Sequence, residues 1–426
     1  MTAEIGKTRY GCNLQGALST LEAVEAVVPI IHGTAGLGIQ SFAANKSGNG
    51  IVGSINGYSV PSTNMYEKQI VFGGGSRLRE QIKNTVRVIE GQLYVVLSGV
   101  ESEMISDDVV AMTQEITDQG YAAAYYKAPG FRGHARTGYE EVVAVLLDQI
   151  AGKAPKQERE TKSVNIFGII PQQDLYWQGN LREIQRIMGS LGVKTNRLFG
   201  DGEDWQSWQS VPAAALNVVV SKWGVKAAEN LRSTYGTPYV FIENPGLGPD
   251  TDNFVEIVGE QLGISKNVVD NFLYSEKKKF DYVIRQFAEY YYSYDFRRKI
   301  SVIGEESKVI RYGEFLKKYL GMQIKTAVIT DYEGDSQEQQ PVKSLEKIIS
   351  DIVYSDDTER IEEKLGPDNE IIFGSELEAG AAARLNAELF VIGNPQNREL
   401  AVSGVDIGYA GAIALIEKIS RIGRGI

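Results

Sequence analysis

Soft metal ligands are scarce in this chain: 426 residues hold one cysteine, Cys12, and two histidines, His32 and His134. A single cysteine excludes an intrachain disulfide, and one thiol with two imidazoles is too thin a set for a conventional zinc site built by this chain alone. No apolar run reaches the length needed to span a bilayer. The first residues carry Glu4, Lys7 and Arg9 and lack the uninterrupted apolar stretch of a secretory signal; a cytoplasmic location without a membrane partner is expected. No Lys/Arg block with interleaved aromatics stands out, and a formal net charge of -11 opposes a polyphosphate backbone, which argues against nucleic acid. There is no G-x-x-x-x-G-K-[ST] loop. GNGIVG (48–53) matches G-x-G-x-x-G, but it follows FAANKS and runs into SINGYSVP. It lacks the flanking strand and helix that aim backbone amides at a pyrophosphate, so it reads as a loop and no nucleotide is expected on this chain. No G-x-S-x-G elbow or Ser/His/Asp grouping points to hydrolysis.

What is present is an ordinary globular composition, 43% hydrophobic and 23% charged, in a chain long enough for two or three domains. Short apolar, β-rich runs recur: LYVVLS (93–98), VNIFGII (164–170), LNVVVS (216–221), KISVIGE (299–305), IKTAVITD (324–331), EIIFG (370–374) and ELFVIG (388–393). Such runs suit parallel strands buried on both faces. Helical patterns lie between them, among them LREIQRIMGSLGV (181–193) and KAAENLRSTYG (226–236), the latter ending on a glycine suited to a helix C-terminus. The βαβα alternation predicts an α/β protein. Polar, breaker-containing stretches at GKAPKQERETK (152–162) and SYDFRRK (293–299) divide it into three doubly wound, Rossmann-like domains with mainly parallel sheets: 1–160, which carries Cys12, then 161–295 and 296–426. DYEGDSQEQQ (331–340) reads as a solvated acidic loop. The tyrosines of EYYYSYDFRRK (289–299) read as helix-end packing, and His134, in a glycine-rich loop, as structural or solvated.

Two readings are open for Cys12 from the residues alone. A free cysteine is commonly a small buried hydrophobe. It is also the right donor for a thiolate ligand where a helix begins, because the dipole favours the anion.

Four stretches in order carry a resemblance: GCNLQGA at Cys12, PIIHGTAGLG (29–38), STNMYEKQIVFGGGSRLRE (62–80) and SGVESEMISDD (98–108). They resemble segments of the nitrogenase component 1 superfamily: a cysteine before a helix, an H-G-x-x-G-C turn, a T-S-M-T-E run leading to V-F-G-G, and a T-C run leading to I-G-D-D. APGFRGHARTGYEE (128–141), the stretch 169–193, YGTPY (235–239) and the C-terminal IGNPQNREL and VDIGYAGAIALIEKI extend the similarity over nearly the whole chain. The family builds an electron-relay cluster at a subunit interface from cysteines at three places in each first domain. Here the second place falls on Leu37 and the third on Val100, so Cys12 alone can ligate iron.

The resemblance therefore implies a β-type subunit that gives one thiolate, from Cys12, to a [4Fe–4S] cluster whose other three ligands come from a partner. That pattern is similar to the cofactor-maturation scaffold and the dark-operative protochlorophyllide reductase of the family. It implies an α-type partner, an α2β2 heterotetramer, and electrons from an ATP-dependent iron–sulfur reductase. The position of the α-type cofactor cysteine falls at about Val220. No catalytic residue is therefore assigned here, and the active site is expected largely on the partner. His32, beside the cluster position, reads as a structural imidazole. Two rivals are a homodimeric, tetrapyrrole-reducing component with two copies of Cys12 facing each other, and a redox-silent scaffold that has lost the cluster. The glycines near Cys12 and in HGTAGLG are expected to let backbone approach the cluster.

Overall fold

All seven of the apolar runs form strands, and each strand pairs in parallel with its neighbours. The computed structural model describes residues 9–40, 60–151, 158–200, 202–332, 349, 351–396 and 401–421. GNGIVG (48–53) and most of the acidic stretch 331–340 lie outside the described residues.

By contact density the chain forms two compact units. One comprises Gly11–Leu181 and Val193–Phe241 and holds two sheets. Its first sheet has the order β1-β2-β3, with β1 Val27–His32, β2 Leu93–Ser98 and β3 Ala123–Lys127. Helices α1 (Asn13–Glu22) and α6 (Ala135–Ala151) pack against one face. The other face turns Val28, Ile30, Tyr94 and Val96 toward α3 (Gly75–Val88) and α5 (Val109–Asp118), through Leu78, Ile82, Val109 and Ile116. Helices α2 (Glu67–Phe72) and α4 (Val100–Met104) follow the carboxyl ends of β1 and β2. Alternate residues thus serve opposite helical layers, which explains why β2 is apolar almost throughout: every one of its residues is buried.

The second sheet has the order β5-β4-β6-β7, with β4 Ser163–Phe167, β5 Lys194–Asn196, β6 Leu216–Val219 and β7 Tyr239–Phe241. The helix expected over 181–193 is α7, Trp177–Ser190, which starts one turn earlier than its apolar period suggests. Helix α8 (Val225–Tyr235) ends as predicted on Gly236, at φ 70°.

The other unit comprises Arg9 and Tyr10, Arg182–Gly192 and the chain from Ile242 onward. It contains α9 (Asp252–Gln261), α10 (Lys266–Tyr294), α11 (Glu306–Leu320), α12 (Thr358–Lys364), α13 (Ala379–Leu385) and α14 (Gly408–Ile419). Its sheet has the order β10-β9-β8-β11-β12, with β8 Lys299–Gly304, β9 Gln323–Ile329, β10 Ile352–Tyr354, β11 Ile371–Gly374 and β12 Glu388–Val391. Successive strands run outward one way from β8 and the other way from β11, the doubly wound arrangement. The tyrosine tract ends α10, where Tyr291 donates to the Leu320 carbonyl and stacks on Phe296, while Tyr292 is exposed. No helix among the described residues is long and apolar enough to cross a membrane.

Candidate functional site

Cys12 caps the N-terminus of α1 with extended backbone (φ -80°, ψ 170°), and its side chain is exposed. Within this chain Cys12 is thus not part of a buried apolar core. The neighbouring loop fixes its place: Asn13 N–H donates to Gly133 O at 3.0 Å, and Ala135 N–H donates to Gly11 O at 2.7 Å, so Cys12 and His134 lie opposite each other in a short antiparallel bridge. The buried Tyr126 hydroxyl on β3 donates to Asn13 Oδ1 at 2.9 Å. The thiol is therefore held at the carboxyl edge of the first sheet by its backbone neighbours.

Gly130, in the loop after β3, lies directly against the thiol. A methyl group on Gly130 would stand 3.5 Å from Cys12 Sγ and 3.8 Å from Val100 Cγ2. A methyl on Gly99 would stand 3.5 Å from Leu37 Cδ1. The fold thus gathers Cys12, Val100 and Leu37, predicted from three separate stretches, into one neighbourhood, and only Cys12 brings a donor atom. Gly130 was missed in the sequence because a glycine contributes by absent atoms. Its place in APGFRGH carries no signal of its own.

His32 ends β1 and is wholly buried. Its Nε2 lies 2.9 Å from Asp107 Oδ2, and its Nδ1 lies 3.1 Å from Thr63 Oγ1. Asp107 also accepts the Gly74 N–H at 2.8 Å. Burial pushes the imidazole below its usual pKa, and the Asp107 hydrogen bond only partly opposes this. Nε2–H donating to the carboxylate and Nδ1 accepting from the hydroxyl satisfy both ring nitrogens of a neutral imidazole, so His32 is structural, as expected. His134 Nδ1 accepts the Arg136 N–H at 3.2 Å, and its ring meets Trp223 edge-on at 5.1 Å. Among the described residues no group of three or more His, Cys, Asp or Glu side chains is arranged to hold a metal ion.

A family profile described as nitrogenase component 1 type oxidoreductase matches residues 12–422, and the chain belongs to that family. It is 24% identical to the nitrogenase molybdenum-iron protein beta chain of Methanococcus maripaludis, over 96% of this chain and 92% of that one. It is 23% identical to the B subunit of the light-independent protochlorophyllide reductase from Heliobacterium modesticaldum, over 83% of this chain and 67% of that one. A 28% match to the molybdenum-iron protein beta chain of Bradyrhizobium diazoefficiens spans 45% of this chain and only 38% of that relative. In structure the fold superimposes on nitrogenase Cp1 solved at pH 6.5 with a TM-score of 0.78 at 16% identity, covering 99% of this chain and 93% of that one.

Proposed function

We propose that this chain is a β-type subunit of a nitrogenase-like component 1 complex, in which Cys12 gives one thiolate to a [4Fe–4S] cluster completed by three ligands of an α-type partner. The observation that carries the reading is the exposed thiol at a helix start, with Val100 beside it across Gly130 and Leu37 near the glycine before Val100, neither of which brings a donor atom. This donor set fits a cluster shared with another chain and does not fit one held by this chain alone. When bound, such a cluster supplies one-electron transfer.

The chain's own contribution is positional. Cys12 stands at the N-terminus of α1 with its side chain exposed. The bare backbone of Gly130 leaves room beside Sγ, and the apolar side chains of Val100 and Leu37 help to exclude water there. Electrons come from an ATP-dependent iron–sulfur reductase, and the substrate chemistry belongs largely to the partner. The assembly is an α2β2 heterotetramer in the cytoplasm.

Cys12→Ala in the complex purified without oxygen tests this. Iron content and the EPR signal of the reduced cluster fall while the subunits still associate; an unchanged iron content and signal would sink the proposal. Purification of the unaltered chain as a colourless assembly would favour a redox-silent scaffold instead.

A further inference from the structure

The sheet order β10-β9-β8-β11-β12 places a reversal of winding between β8 and β11. In open α/β sheets a crevice forms outside the carboxyl ends of the strands at that point, and it is where ligands bind. Here the crevice is occupied by the chain itself. After β8 come Glu305 and Lys308, whose Nζ lies 2.9 Å from Glu305 Oε2. After β9 comes Thr330, whose N–H donates to Gly304 O at 2.9 Å. After β11 comes Ser375, whose N–H and hydroxyl both donate to Glu378 Oε2, at 2.7 and 2.9 Å.

Into this setting enters Arg9, from the opposite end of the chain. Its guanidinium pairs with both carboxylate oxygens of Glu378, and Nη1 also donates to Ser375 Oγ at 3.0 Å. Tyr10 follows with a hydroxyl–hydroxyl hydrogen bond to Thr330. The side chains of Arg9 and Glu378 are 3% and 0% exposed. Burial opposes the charge of Arg9, and Glu378 more than offsets it. Arg9 thus meets Glu378, and Lys308 meets Glu305, in two buried ion pairs supplied by the chain itself.

We infer that Arg9 is an internal ligand: together with Tyr10 it fills the crevice that this sheet would otherwise offer to a bound molecule, and what the crevice recognises is a guanidinium group. A planar fork on a carboxylate is the geometry in which arginine surpasses lysine. The consequence is that the crevice is closed to nucleotides and substrates in the native chain and becomes a guanidinium site when Arg9 is removed.

The test is chemical rescue on the full-length chain. Arg9→Ala is expected to unfold at a lower temperature. Methylguanidinium, below denaturing concentrations, is expected to restore the loss saturably, whereas the same concentration of tetramethylammonium does not. Adding Glu378→Gln to that variant is expected to abolish the rescue, and titration calorimetry of the native chain with methylguanidinium is expected to show no binding. An Arg9→Ala chain that unfolds at the native temperature would overturn the proposal. So would a loss that methylguanidinium cannot repair, or binding to the native chain as tight as to the variant. If Arg9→Ala does not accumulate, producing it in the presence of methylguanidinium decides: recovery of folded chain supports the proposal, and no recovery overturns it.

Discussion

Two soft donors at the first sheet's carboxyl edge have opposite fates. Cys12 is exposed, and His32 is sealed between Asp107 and Thr63. Because surface substitutions usually change stability by about 0.5 kcal/mol or less, Cys12→Ala should leave the denaturant midpoint of the isolated chain unchanged while removing iron from the complex. That pairing separates a ligand from a structural residue. His32 behaves in the reverse sense. Its folded pKa lies below its unfolded value of about 6.5, so just below that pH the unfolded chain binds more protons than the folded one. Stability is therefore full above the unfolded pKa and falls as pH drops below it. Thermal unfolding measured from neutrality down to the carboxylate range should show that decline, and His32→Gln should flatten it; an equal slope in the variant would contradict the buried neutral imidazole. At this scale Cys12 was legible because a lone residue type is conspicuous, and so was a structural His32. The partners Asp107 and Thr63 were not, because folding brings them together across 75 and 31 positions.

Helix α1 owes its position to close backbone approach. A methyl on Gly16 would fall 1.7 Å from Ala135 O, and one on Gly138 would fall 2.2 Å from Asn13 O, so α1 and α6 meet with no side chain between them. Gly138→Ala must push the helices apart, with a cost of roughly 1–3 kcal/mol, read as a lowered denaturant midpoint at constant m. Gly189→Ala is the control: nothing lies within 4 Å of its new methyl, so helix propensity alone should raise stability by roughly 0.5–1 kcal/mol. If both variants move alike, the close approach has been misread. Several strands that the sequence announced are buried on both faces, such as β4 and β11, whereas β12, with Glu388 exposed and the rest half-buried, was announced by its apolar run alone. Strand β1 was not announced, since Pro29 interrupts VVPIIH; it lies at the edge of its three-stranded sheet, where proline is tolerated. β5, β7 and β10 are three residues each, too short to show a period.

On the scale of the molecule, three parallel sheets fall one to each of the segments 1–160, 161–295 and 296–426. We keep that division as a proposal about architecture. Cohesion follows another grouping, since the first two sheets share one compact unit while Arg9 and Tyr10 cluster with the third. Differential scanning calorimetry should accordingly resolve two cooperative transitions; three separate ones would show that each sheet folds alone. The second boundary was hard to place because SYDFRRK is partly helix: α10 continues through Tyr294, and β8 begins at Lys299. Polar composition marks a solvated helix end as readily as a linker.

A chain with one thiol, set on its surface, carries its own footprinting label. Alkylation adds a single mass increment when Sγ is open and none when it is covered. Intact-mass analysis of the natural chain, drawn straight from cells, therefore reads the fraction of molecules in which that spot is engaged, with no residue changed.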